Sequence, residues 1–298
     1  MLGAMLGSSS QSVAVPEAPF IGQTSYLLMI NGGHYPRDPA LQLARGSHRI
    51  NHWKIEVPWD DYRGSEWVTP EEYRSFIESL VGIFWQTREQ PAPQFWVEHS
   101  PTNIRYSRAL DQVFPDAHFV HIYRDGRGVA ASVLPMDWGA TDTLEAANHW
   151  LGDIAFGLVA EQAIPGERFH SVQFEHLVQD PGTVLSGLCE AIGIPFDPNM
   201  VLGDKFDVPA YNDQQHLLVG QHPDPGRVDA WKTTLSPRQI EVFESRAGPM
   251  LVHLGYEPQQ RGVIRMPGLL ERMRADIARI CKRELWYRIR NRKRRRKI

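Results

Sequence analysis

His118-Phe119-Val120-His121-Ile122-Tyr123-Arg124-Asp125-Gly126-Arg127-Gly128-Val129-Ala130-Ala131-Ser132-Val133 is the stretch on which the fold turns. A strand pattern over 118–123 runs directly into an Arg-Asp pair and a glycine-flanked turn, and from Gly128 small residues open a helix. In open α/β sheets ligands gather beyond the carboxyl ends of strands, and Arg124 stands at such an end. A helix N-terminus offers unpaired N–H groups and partial positive charge, so an arginine beside it makes an anion pocket. Ser132 lies about two turns into that helix, where its hydroxyl adds a donor if that face turns to the ligand. The same residues also fit a plain structural helix, with Arg124-Asp125 as a surface ion pair and Ser132 as a small packing residue.

Outward from this stretch the chain alternates. On its N-terminal side, Thr69-Pro70-Glu71-Glu72 places a hydroxyl, a proline and a glutamate as a capping box ahead of Phe76, Ile77, Leu80, Val81 and Phe84, which predicts a helix over 70–88. Gln94 to Glu98 reads as a buried strand, and Ser100-Pro101 as the cap of a helix through Ile104, Leu110 and Phe114. On the C-terminal side, Leu144 to Val159 is helical by pattern, and Phe169 to Phe174 is a strand. Asp180-Pro181 and Ser236-Pro237 each open a helix. Strands alternating with capped helices imply an α/β fold with a mainly parallel sheet. Residues 19–64, rich in Gly, Pro and aromatics, carry little periodicity and read as loops with short helical pieces.

Composition narrows the class. The 298 residues are 42% hydrophobic and 22% charged, enough for a sizeable core. No run of eighteen apolar residues occurs, so a transmembrane helix is not expected. No basic residue precedes the apolar MLGAML opening, so a secretory leader is not expected either, and the expected location is the cytoplasm. Cys189 and Cys281 stand far apart, which argues against a disulfide framework or a zinc ribbon, and His48 with His52 lacks a third ligand. No metal site is expected. The net charge of −3 conceals an asymmetry: residues 269–298 hold thirteen Lys and Arg against three Asp and Glu, leaving nineteen basic against thirty-two acidic residues elsewhere.

Four segments in order carry a resemblance. Arg124 to Ser132, after a strand preceded by Phe114-Pro115-Asp116-Ala117, resembles the segment by which sulfotransferases hold the 3′-phosphate of 3′-phosphoadenosine 5′-phosphosulfate (PAPS). Trp96-Val97-Glu98-His99-Ser100-Pro101 is similar to the family's Trp-x-(Asp/Glu)-Lys-x-Pro segment, and Gln173 to Pro181 to its Tyr-Glu strand end. Gly226-Arg227 with Trp231-Lys232, followed by a helix to Leu254-Gly255-Tyr256, resembles its closing pattern. The resemblance, to PAPS-dependent sulfotransferases of bacterial type that are similar to protein-tyrosine sulfotransferases, implies a P-loop NTPase-like fold with PAPS as co-substrate and a hydroxyl-bearing acceptor. Met1 to Glu17 looks like the family's first helix and glutamate. On that reading the first strand and the Arg-Ser-Gly-Thr-Thr phosphosulfate loop are expected to lie upstream of Met1.

The resemblance also implies roles. Glu17 matches the catalytic glutamate, and a carboxylate in reach of an acceptor hydroxyl is suited to take its proton; otherwise it is a loop carboxylate. His99 stands where the family has lysine beside the leaving-group oxygen, a task it performs only as a hydrogen-bond donor or when protonated. Arg124 and Ser132 fall on the 3′-phosphate ligands. Phe174 replaces a tyrosine near the adenine and keeps its stacking face, and Arg227 reaches the 3′-phosphate from the closing segment or else lies on the surface.

The expected organisation is a sulfotransferase-like domain over 1–258 and a basic amphipathic helix and tail over 259–298. Leu270, Met273, Ile277 and Ile280 share a helical face ahead of Asn291-Arg292-Lys293-Arg294-Arg295-Arg296-Lys297, a pattern suited to an anionic membrane surface more than to specific nucleic-acid binding, though also to a solvated end. A non-catalytic protein that keeps a nucleotide half-site or the membrane tail is the alternative function. The acceptor depends on 19–70 and 200–225, which carry no motif.

Overall fold

A computed structural model describes residues 1–62, 64, 66–87, 93–206, 220–260, 262 and 264–295, the last thirteen as backbone only. In chain order the elements are α1 (Leu2–Leu6), β1 (Ser12–Ala14), α2 (Pro19–Ile30), β2 (Tyr35–Pro36), α3 (Arg37–Arg45), β3 (Trp67–Val68), α4 (Pro70–Gln86), β4 (Phe95–Val97) and α5 (Ser107–Val113). Then come β5 (Phe119–Tyr123), α6 (Gly126–Val133), α7 (Thr143–Ala163), β6 (Phe169–Gln173), α8 (Phe174–Gln179), α9 (Pro181–Ile192), α10 (Trp231–Thr234), α11 (Pro237–His253) and α12 (Leu269–Arg295). They form two compact units, one of Met1–Ile122 with Phe156–Asp224, the other of Tyr123–Ala155 with Pro225–Ile298.

In the first unit β1 pairs parallel with β4, Val13 opposite Trp96, and β2 pairs antiparallel with β3; β5 and β6 are neighbours in a third two-stranded sheet. One core joins Phe20, Ile21 and Leu28 of α2 to Tyr73, Ile77, Leu80 and Phe84 of α4, and Trp53 in the same core packs its ring against Phe84. A second packs Leu2, Met5 and Leu6 of α1 against Leu177, Leu185, Leu188 and Cys189. The opening segment is thus part of the core. Gly3 and Gly7, one turn apart, are the reason it fits: a Cβ on Gly3 would come within 2.8 Å of His99 Cβ, and one on Gly7 within 2.3 Å of Ala14 Cβ. Only a backbone without side chains approaches that closely.

Several helix starts form as their sequences dictate. Thr69 and Ser236 make full capping boxes, and Asp180 accepts the Thr183 N–H. The helix expected over 70–88 ends at Gln86, residue 88 lying outside the described residues.

Other expectations need correction. Ser100 does not cap the next helix. A 3-10 turn over Pro101–Tyr106 intervenes before α5, because the Ser100 hydroxyl is engaged by Glu98 and by the Ala18 N–H. The helix after β5 starts at Gly126 rather than Gly128, with Asp125 as its N-cap. Phe174 opens α8 instead of closing the strand. The region read as loops with short helical pieces contains the longer, twelve-residue α2, whose apolar residues surround it on more than one side and so show no single stripe. No helix among the described residues is long and apolar enough to cross a membrane.

Candidate functional site

Glu17 lies in the short connection from β1 to α2, and two neighbours fix it there. The next residue, Ala18, donates its N–H to Glu98 Oε1 and to Ser100 Oγ, each at 2.8 Å. The Glu17 carboxylate itself pairs with Arg49 Nη1 at 3.1 Å, both side chains partly exposed. A loop carboxylate is thereby held by backbone anchoring on one side and a cation on the other. Neither Arg49 nor Glu98 had been singled out by sequence reasoning. Glu98 was visible only as one letter of a family segment, and Arg49 is thirty-two residues from its partner.

Glu98, at the end of β4, collects donors. Its Oε1 accepts from Ala18 N–H and, at 2.5 Å, from the Ser100 hydroxyl; its Oε2 accepts from the Ser100 N–H at 3.0 Å and from the Asn103 side-chain amide. Burial pushes the Glu98 carboxyl above the usual carboxylate range, the Ser100 and Ala18 donors pull it back, and the negative charge of Glu17 adds to the rise. His99, between Glu98 and Ser100, is half-buried, its Cβ side against Gly3 and its ring edge-on to Phe206 at 5.1 Å. Phe174 is half-buried at the first position of α8. These residues belong to the first unit.

The second unit holds Arg124, Ser132 and Arg227. Arg124 lies over the first turn of α6, where a Cβ on Gly128 would come within 2.9 Å of Arg124 Nε. Its Nη2 donates to the Arg227 carbonyl at 2.7 Å, and its own carbonyl accepts from Trp150 Nε1 at 3.1 Å. The structure therefore joins Arg124 to the closing segment through the Arg227 backbone, with the Arg227 side chain exposed in the turn Pro225–Arg227. Ser132 is exposed, and its hydroxyl donates to the Val129 carbonyl at 2.8 Å. The helix N-terminus is not the bare anion site the sequence suggested: the Asp125 carboxylate accepts the Arg127 N–H at 2.9 Å and already supplies a negative charge there.

Arg127, two residues beyond the cap, is the feature sequence reasoning missed in this unit. Its Nη2 meets Asp125 Oδ2 at 2.7 Å, its Nη1 meets Glu244 Oε1 at 2.6 Å and the Glu257 carbonyl at 3.0 Å, and its guanidinium lies 4.0 Å from the Trp231 ring centre. Burial lowers its proton affinity, but Asp125 and Glu244 outweigh that and leave it raised. Glu244 also accepts the N–H groups of Gln259 and Gln260. One buried guanidinium thus ties α6 to α11, to Trp231 and to the chain after α11. The Trp231 that the family resemblance had marked is its stacking partner.

Comparison with known proteins gives a consistent result. A family model described as the sulfotransferase family matches residues 1–198. The chain is 23% identical over 220 residues to protein-tyrosine sulfotransferase A of Caenorhabditis elegans, which covers 70% of this chain and 57% of that protein. The chain thus spans a little over half the length of this curated relative. Two solved structures, the sulfotransferase domain from the curacin biosynthetic pathway and that from the Synechococcus PCC 7002 olefin synthase, each align with a TM-score of 0.56 at 18% identity. They cover 86% of this chain and 93% and 90% of their own. Likeness at that identity establishes an α/β fold shared with those domains.

Proposed function

Because the chain belongs to the sulfotransferase family, whose model spans residues 1–198, we propose that it transfers a sulfuryl group from PAPS to a hydroxyl-bearing acceptor. In that step the acceptor oxygen bonds to sulfur while the bond from sulfur to the phosphate oxygen breaks. 3′-Phosphoadenosine 5′-phosphate (PAP) leaves with the electron pair, and the acceptor proton passes to a base. We assign the base to Glu17. Arg49, 3.1 Å away, would keep its carboxylate oriented.

The observation that carries the donor assignment is Arg124: its guanidinium lies over a glycine and is tethered to the Arg227 carbonyl at 2.7 Å. A cation so held, with no side chain on Gly128 to displace it, fits a phosphate. Ser132 would add a hydroxyl by turning from the Val129 carbonyl, and Arg227 a second cation from the closing segment. Phe174 would offer a stacking face to the adenine, and His99 a hydrogen bond to the leaving oxygen. We assign residues 1–258 to this sulfotransferase-like domain and 259–298 to an appended basic helix that contacts an anionic membrane surface.

Calorimetry with PAP tests the donor, and transfer of labelled sulfuryl groups to a panel of hydroxyl acceptors tests the reaction. The full chain should bind PAP, Arg124→Ala should bind it at least about tenfold more weakly, and Glu17→Gln should bind it normally while losing about 10²- to 10⁴-fold in transfer rate. Equal binding by Arg124→Ala would remove the phosphate assignment, and no binding either by this chain or by one extended upstream to include any encoded Arg-Ser-Gly-Thr-Thr loop would remove PAPS as donor.

A further inference from the structure

Helix α12 is fastened to the second unit by its polar side. Glu271 pairs with Arg238 at 2.7 Å, Arg279 with Glu145 at 3.3 Å and Asp142 at 3.7 Å, and Lys282 Nζ donates to the carbonyls of Gly139 and Ala140 at 3.0 and 3.1 Å. Ala275, half-buried, shares that side. At about 100° per residue, positions 271, 275, 279 and 282 form one stripe, and 270, 273, 277 and 280 lie roughly opposite it. Accordingly Leu269, Leu270, Met273, Ile277 and Ile280 are 51 to 75% exposed. A helix on a globular body ordinarily does the reverse and buries its apolar stripe.

Charge indicates what covers the stripe. Residues 269–298 carry thirteen Lys and Arg against three Asp and Glu. Pairing this helix with the same helix of a second copy would bring two strongly basic segments together. A bilayer with anionic headgroups satisfies both properties, accepting apolar side chains at its acyl boundary and cations at its surface. We propose that α12 lies in the plane of an anionic membrane with Leu270, Met273, Ile277 and Ile280 inserted, and that this contact fixes which side of the second unit faces the bilayer. The inference rests on the membrane contact in the reading above and is independent of the transfer chemistry.

Flotation of the full chain with phosphatidylcholine vesicles, and with vesicles that also contain phosphatidylserine, tests it. Binding should be confined to the anionic vesicles and weaken with salt. The double variant Ile277→Glu/Ile280→Glu, which alters only exposed positions and should melt at the parent temperature, should bind about tenfold or more weakly. Undiminished binding by the variant would overturn the insertion and leave contact by charge alone; no binding by the full chain would overturn both. A dimer in sedimentation experiments that the same variant dissociates would assign the stripe to a second copy instead.

Discussion

The Glu98 carboxylate accepts the backbone N–H of Ala18 at 2.8 Å, which ties the end of β4 to the residue immediately after Glu17. The same oxygen takes the Ser100 hydroxyl, so one acid holds the segments on which both Glu17 and His99 are carried. Replacement by alanine would leave several donors without their acceptor. Glu98→Ala is expected to lose about 1–3 kcal/mol of stability, read by chemical denaturation. Its pH dependence has a definite sign. Burial raises this carboxyl in the folded chain, so the folded state takes up its proton at higher pH than the unfolded state does. The stability of the parent relative to Glu98→Gln should therefore improve as pH falls from neutral through the raised value. A difference that is flat with pH would mean that Glu98 titrates alike in both states.

Gly7 sets how closely α1 lies on β1. A Cβ there would stand 2.3 Å from Ala14 Cβ and 2.7 Å from the Ala14 nitrogen, and the latter is backbone that has little room to yield. Gly7→Ala should cost about 1–3 kcal/mol, since its helix-propensity gain is smaller than the overlap it creates. Thermal unfolding measures this. An unchanged melting temperature would show that α1 shifts freely on the sheet.

These two positions also show what the sequence made legible. Helix starts marked by a hydroxyl or acid followed directly by proline could be read because each signal is local, as at Thr69, Asp180 and Ser236. Arg124 could be read because it sits at a strand end. The partners of these residues were not legible: Arg49 meets Glu17, Glu244 meets Arg127, and Glu98 meets Ala18 across separations that no periodicity records. Ser100 misled for a related reason, its capping hydroxyl being claimed by a tertiary contact. The length of helix α2 exceeds the short helical pieces expected there because burial on several sides erases the alternation that pattern reading relies on.

Arg127 is the largest single commitment in the second unit. Its side chain is 3% exposed and that of Glu244 is fully buried, so truncation strands two acids away from water. Arg127→Ala should destabilise by about 3–5 kcal/mol. Arg127→Lys keeps the charge but cannot span Asp125, Glu244 and the Glu257 carbonyl together, and should lose an intermediate amount. Because Trp231 stacks on this guanidinium, its fluorescence reports the same loosening in both variants. Full retention of stability in Arg127→Ala would show that the acids find other partners.

Acid should release α12 from α11 in a defined window. Hydrogen bonds from Arg265 and Arg238 hold Glu241 down at about 2, and those from Arg238 and the Gly268 N–H hold Glu271 at about 2, against an ordinary 4.5. A carboxyl lowered in the folded state contributes stability that is present above its ordinary value and is lost as pH falls toward the lowered one. The attachment of α12 should therefore be intact at pH 4.5 and weaken progressively toward pH 2. Hydrogen exchange along residues 269–282, corrected for its intrinsic pH dependence, would locate the loss. Arg238→Met, which removes the side chain hydrogen-bonded to both acids, should loosen α12 already at neutral pH and flatten the acid dependence. If the variant keeps the parent's acid response, the clamp on α12 is carried by Arg279 and Lys282 instead.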